Sequence, residues 1–133
     1  MSRENVEVVR RSFEVWNEGD VDAIRRLYTE DVVIETPEVF AIAGPTFAGD
    51  DPVGRFVAGL KKEWIDSRWE VERIFDCGDV IVSFHRTTAI GRRSGAEVSR
   101  DFAGVFRIRD GLIASEHIYL DRDEALEAAG LRK

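Results

Sequence analysis

A single cysteine, Cys77, stands in 133 residues, which excludes an internal disulfide framework and any cysteine-rich zinc centre. Basic charge is also short: 19 lysines and arginines face 26 acidic residues, for a net charge of −7. The uniformly basic footprint of a nucleic-acid-binding protein is therefore missing, and no nucleic-acid partner is expected. Apolar runs extend over a handful of residues, far below the ~20 needed to cross a bilayer, so no membrane partner is expected either. The opening Met1-Ser2-Arg3-Glu4-Asn5 is too polar for a secretory signal, and the expected location is the cytoplasm. His-Glu-x-x-His, Gly-x-Gly-x-x-Gly, the phosphate-loop lysine motif and Gly-x-Ser-x-Gly are all absent. That removes the common zinc-protease, dinucleotide, nucleotide and serine-hydrolase readings.

What is present is the material of one globular domain over residues 1–133, with 44% hydrophobic and 34% charged residues. A chain of this length buries roughly two-thirds of its unfolded surface. Val6, Val9, Phe13 and Trp16 recur at steps of three, four and three, and Ser2 can cap the helix they predict. Gly19 ends it, and Asp20 caps a second, shorter helix carrying Val21, Ile24, Leu27 and Tyr28. Val32 to Thr36 is β-branched and stops at Pro37, which predicts a strand. Val39 to Gly49 reads as a loop with at most a short strand. Asp51-Pro52 opens a third helix with Val53, Phe56, Val57, Leu60 and Trp64 on one stripe.

From Trp69 the chain turns β. Strands are predicted over Trp69 to Phe75, Val80 to Ile90, Val98 to Arg109 and Leu112 to Leu120, with turns at Cys77-Gly78-Asp79 and Asp110-Gly111. Asp121 opens a terminal helix, Glu124 to Ala129. Helices, a strand, a helix and then an antiparallel meander make the class α+β.

This order resembles the SnoaL-like branch of the nuclear-transport-factor-2-like superfamily. The segments that carry the resemblance are Val9-Arg10-Arg11-Ser12-Phe13-Glu14-Val15-Trp16-Asn17-Glu18-Gly19-Asp20, Asp31-Val32-Val33-Ile34-Glu35-Thr36-Pro37, Arg109-Asp110-Gly111-Leu112-Ile113 and Tyr119-Leu120-Asp121-Arg122-Asp123-Glu124-Ala125-Leu126. The resemblance implies a cone: a curved antiparallel sheet wrapped around three helices, with a short C-terminal helix and a deep apolar pocket. It also implies a homodimer joined through the outer face of the sheet.

The family's chemistries are absent in their usual form. Matched to a ketosteroid isomerase, the tyrosine position holds Ser12, the base position Thr36 and the second oxyanion donor position Gly104. The epoxide hydrolases' Arg-x-Asp pair is missing, because Arg100 and Asp101 are adjacent and point to opposite faces of a strand.

Strand alternation leaves one acid/base pair. Phe102, Gly104, Phe106 and Ile108 share the more apolar face of their strand. The family register turns Ser83, His85 and Thr87 inward, and with them Glu116. His85 and Glu116 are thus the candidate catalytic pair, at the floor of a pocket walled by Trp16, Tyr28, Phe56, Leu60, Trp64, Phe102 and Phe106, with Thr36 and Gly104 beside it. Such a pair suits enolisation, cyclisation or dehydration of a flat hydrophobic carbonyl compound, with no metal or cofactor. An enzyme or ligand binder of this kind predicts a cavity of a few hundred cubic ångströms. The competing reading makes His85 a hydrogen-bonded structural residue, pairs Glu116 with an arginine such as Arg100, and leaves a non-catalytic binding or assembly domain. His117 and Tyr119 are expected on the outer face.

Overall fold

The computed structural model describes residues 2–37 and 46–131. Helix α1 (Ser2–Glu18) and helix α2 (Val21–Arg25) form the predicted hairpin. Asp20 caps α2 by accepting from the backbone N–H groups of Asp22 and Ala23. Strand β1 (Tyr28–Glu35), strand β2 (Thr46–Phe47) and helix α3 (Pro52–Glu63) follow. Four longer strands and a last helix complete the order: β3 (Trp64–Cys77), β4 (Val80–Gly91), β5 (Glu97–Arg109), β6 (Leu112–Tyr119) and α4 (Arg122–Ala128). The Ser2 side chain and the expected loop up to Pro45 lie outside the described residues; from Thr46 that loop becomes β2.

Two boundaries differ from the helical periodicity. Tyr28 opens β1 rather than closing α2, because the sheet captures it: Tyr28 pairs with Ile113, and the Ile113 N–H donates to the Leu27 carbonyl at 2.8 Å. Trp64 opens β3 rather than closing α3, because it pairs with Gly91 while the Arg92 N–H donates to Glu63. β3 is consequently longer than the predicted Trp69 to Phe75.

The strands lie in the order β2-β1-β6-β5-β4-β3. All neighbours are antiparallel except β1 and β6, which run parallel across the long connection between them. Register shifts at Val71/Arg73 in β3 and Arg107/Ile108 in β5 insert irregularities of the kind that bend strands. The two-residue turn at Asp110-Gly111 has positive φ at both positions, as the right-handed twist of the flanking strands demands.

The inner face of the sheet and helices α1 to α3 enclose the main core, which includes Val9, Phe13, Ile24, Phe56, Leu60, Ile81, Phe102 and Phe106. Helix α1 is fixed along β3 by two asparagines. Asn5 donates to the Gly78 carbonyl at 2.9 Å, and the Asn17 amide brackets the Trp69 backbone, accepting at 2.7 Å and donating at 2.8 Å. A smaller core lies on the other side of the sheet, where Ala125 of α4 packs on Val82, Ala103 and Val105.

Candidate functional site

Alternation in β4 and β6 turns His85 and Glu116 toward the helices, and both are buried. Glu116 accepts a hydrogen bond from the Tyr28 hydroxyl at 2.5 Å. The direction follows from chemistry. The Trp16 indole N–H can only donate, and it donates to the Tyr28 oxygen at 3.0 Å, so the tyrosine hydrogen is left for Glu116. Among the described residues Tyr28 is the carboxyl's hydrogen-bond partner; Arg100 is not. Burial raises the Glu116 carboxyl to about 7, with the Tyr28 hydrogen bond acting in the opposite direction. Tyr28 is itself pushed well above its ordinary range, by burial first and by the Glu116 charge second.

His85 lies among aromatic rings. The centroid of Phe13 is 4.9 Å away, that of Trp69 5.9 Å and that of Phe102 6.0 Å. Its Nδ1 shares a hydrogen bond with the Ser83 hydroxyl at 3.0 Å, and its Nε2 is buried without a partner among the described residues. Burial, and secondarily the Arg122 guanidinium behind the sheet, lower its pKa to about 3. The imidazole is therefore neutral at physiological pH. That direction runs against the ordinary value near 6.5, on which the expectation of a histidine proton shuttle was based.

The interior is tighter than the expected few hundred cubic ångströms. His85, Glu116, Ser12, Phe13, Trp16, Phe56, Trp69 and Phe106 surround a gap of about 10 Å³, room for one water at most. Six aromatic and imidazole rings fill the space that the sequence left open. A second cleft, of about 40 Å³ and open to solvent, lies nearer the mouth, lined by Leu60, Trp64, Ser67, Trp69, Thr87, Ala89, Val98, Arg100 and Phe102. The indole of Trp69 walls both.

The predicted pocket residues thus divide. Trp16, Phe56 and Phe106 line the inner gap, while Leu60, Trp64 and Phe102 line the outer cleft. Tyr28 acts through Glu116. Thr36 is buried at the end of β1, and Gly104 lines neither space. Gly104 is instead a point of close approach, where a Cβ would stand 2.8 Å from the Phe106 ring and 3.1 Å from the Ser83 hydroxyl. Ser12, at the isomerase tyrosine position, donates to the Val9 carbonyl at 2.6 Å and borders the gap. Trp69 is the residue that sequence reasoning missed; it was assigned only to a strand start, and its role depends on a partner face 16 positions away in β4.

His117 and Tyr119 lie on the outer face with their rings stacked at 4.0 Å, and His117 Nδ1 is 3.1 Å from Glu35. Among the described residues no three histidine, cysteine or carboxylate side chains converge as metal ligands. Burial, and then Asp76, raise the Cys77 thiol above its ordinary value, away from a reactive thiolate.

Residues 9–116 match the SnoaL-like domain family. Among curated proteins, none matches the sequence. The fold is similar to that of an NTF2-like protein of unknown function from Burkholderia pseudomallei (TM-score 0.79, 20% identity, covering 93% of this chain and 95% of that one). It is equally similar to TerC, crystallised with polyporic acid (TM-score 0.79, 21% identity, 96% and 98% covered). SalBIII, described as an epoxide hydrolase/cyclase-like enzyme with a role in pyran ring formation in the polyether salinomycin, follows at a TM-score of 0.76 and 20% identity, with 92% and 95% covered. At these identities the likeness is one of fold.

Proposed function

The chain belongs to the SnoaL-like domain family, and from that premise we propose that it binds a small hydrophobic carbonyl compound in its cone and moves a proton on it. Glu116 is the acid/base group in this reading. A carboxyl near 7 is divided between its two protonation states at neutral pH, which suits it to take a proton from carbon and return it. The neutral His85 has a different part from the one its ordinary pKa suggests: its unpartnered Nε2, in the N–H tautomer, donates to the carbonyl oxygen as negative charge develops there. Tyr28 holds Glu116 in place. The observation that carries the reading is that both groups line one narrow gap, a carboxyl raised by burial and an imidazole nitrogen that has no partner among the described residues. SalBIII, which shares this fold, is described as an epoxide hydrolase/cyclase-like enzyme, so the fold accommodates catalysis.

The test is hydrogen–deuterium exchange at the α-carbon of 2-tetralone, a flat enolisable ketone, followed by NMR. Exchange above the buffer rate is expected, falling about 100-fold or more in Glu116→Gln, the usual weight of general acid–base catalysis. The narrowness of the gap favours a second reading, a binding domain without chemistry. Saturable 2-tetralone binding with exchange at the buffer rate in the unaltered protein supports that one.

A further inference from the structure

The cleft at the mouth of the cone has a chemistry of its own. Its floor is set by sheet register: Trp69 of β3 pairs with Thr87 of β4, which pairs with Arg100 of β5, so the three side chains form one row across the inner face. Leu60, Trp64 and Phe102 supply apolar walls around that row. Two polar groups in it are unspent. The Thr87 hydroxyl is buried and has no hydrogen-bond partner among the described residues. Arg100 is exposed at the rim, and among the described residues no carboxylate lies within ion-pair distance of it. Its neighbour Asp101 points to the opposite face and is held by Arg86 at 3.0 Å. Among the described residues no acidic side chain lines the cleft, although the chain as a whole carries −7.

We propose that this cleft binds a hydrophobic carboxylate: a ring lies against Trp69 and Phe102, Arg100 donates to the carboxylate, and the Thr87 hydroxyl donates to an oxygen of the ligand. A guanidinium is suited to the part, because its planar fork matches a carboxylate and its face stacks on rings. The cleft's apolar walls strengthen the pair by removing water from one side. The Thr87 row lies two residues from the His85 row on the same strand, about 6.6 Å toward the mouth. That is a separation one ring can span, so the proton-transfer substrate is read here as a ring carbonyl compound bearing a carboxylate. The naming of that substrate rests on the proposed function; the binding itself does not.

The experiment titrates the protein with 2-naphthoate and with uncharged 2-naphthamide, following the indole N–H signals of Trp64 and Trp69 by NMR. The acid is expected to bind about tenfold more tightly than the amide, the weight of one charge-assisted hydrogen bond. Arg100→Gln should erase that preference by weakening the acid more than the amide, and Thr87→Val should weaken both severalfold. Equal affinity for the two probes, a preference that survives Arg100→Gln, or no shift of either indole with either probe overturns the proposal. Glu116→Gln separates the two readings. Naphthoate binding kept in the variant, with no ketone exchange in the unaltered protein, refutes the catalytic reading alone. Exchange with no naphthoate binding refutes the carboxylate cleft alone.

Discussion

Glu116 gives up water on folding and receives one hydrogen bond in return, so its carboxyl is held near 7 instead of its ordinary 4.5. The folded protein then keeps a proton that the unfolded chain releases. The stability this contributes is fully present below pH 4.5 and is lost as pH rises through 7. Glu116→Gln should therefore gain on the unaltered protein across that window, by up to about 3 kcal/mol, in urea unfolding measured from pH 4 to 8. A difference that does not change with pH would show that the carboxyl titrates normally. His85 has the opposite sign: lowered to about 3, it contributes stability above 6.5 that is lost as pH falls toward 3. Strand alternation together with the family register was enough to expect both residues inward. Their pKa directions were not legible, because they depend on how fully side chains from distant segments exclude water.

At the scale of elements, helix and strand compete for the same residues at two junctions. Ile24, Leu27 and Tyr28, and again Leu60 and Trp64, fit a helical stripe, yet Tyr28 and Trp64 begin strands. Periodicity reads only local spacing, whereas a strand end is set by a partner distant in sequence. Within the sheet, β5 needs glycine at position 104, because its inner face there meets the Phe106 ring and Ser83. Both are buried. Gly104→Ala should cost about 1–3 kcal/mol by overpacking, measured by thermal or urea unfolding. It should also displace Ser83 and so disturb the hydrogen bond to His85. A variant as stable as the unaltered protein would mean that the sheet shifts to admit the methyl group.

The whole molecule is a sheet with a core on each side, a large one under α1 to α3 and a small one under α4. The outer core depends on Ala125, which is fully buried against Val82, Ala103 and Val105. Ala125→Asp places an unpaired charge there, and undocking α4 is the cheapest escape. The expected result is a lower melting temperature with increased binding of an apolar dye, while the indole signals of Trp69 on the inner side stay in place. A variant with unchanged melting temperature and dye binding would show that α4 contributes little to the fold.

At this scale the division between sequence and structure is plain. The sequence by itself determined the element order, the α+β class and the more apolar face of β5. These follow from spacing along the chain: 3.6-residue and 2-residue periods, caps at Asp20, Asp51 and Asp121, and the Asp110-Gly111 turn. Only the tertiary structure decided that Tyr28, with the Trp16 indole donating to it, directs its hydrogen toward Glu116, 88 positions away. It alone joined Trp69, Thr87 and Arg100 in one row, filled the inner cavity and left an open cleft beside it. Such features are set by strand register and by the volumes of side chains from distant segments. Those quantities exist only once the chain has closed on itself.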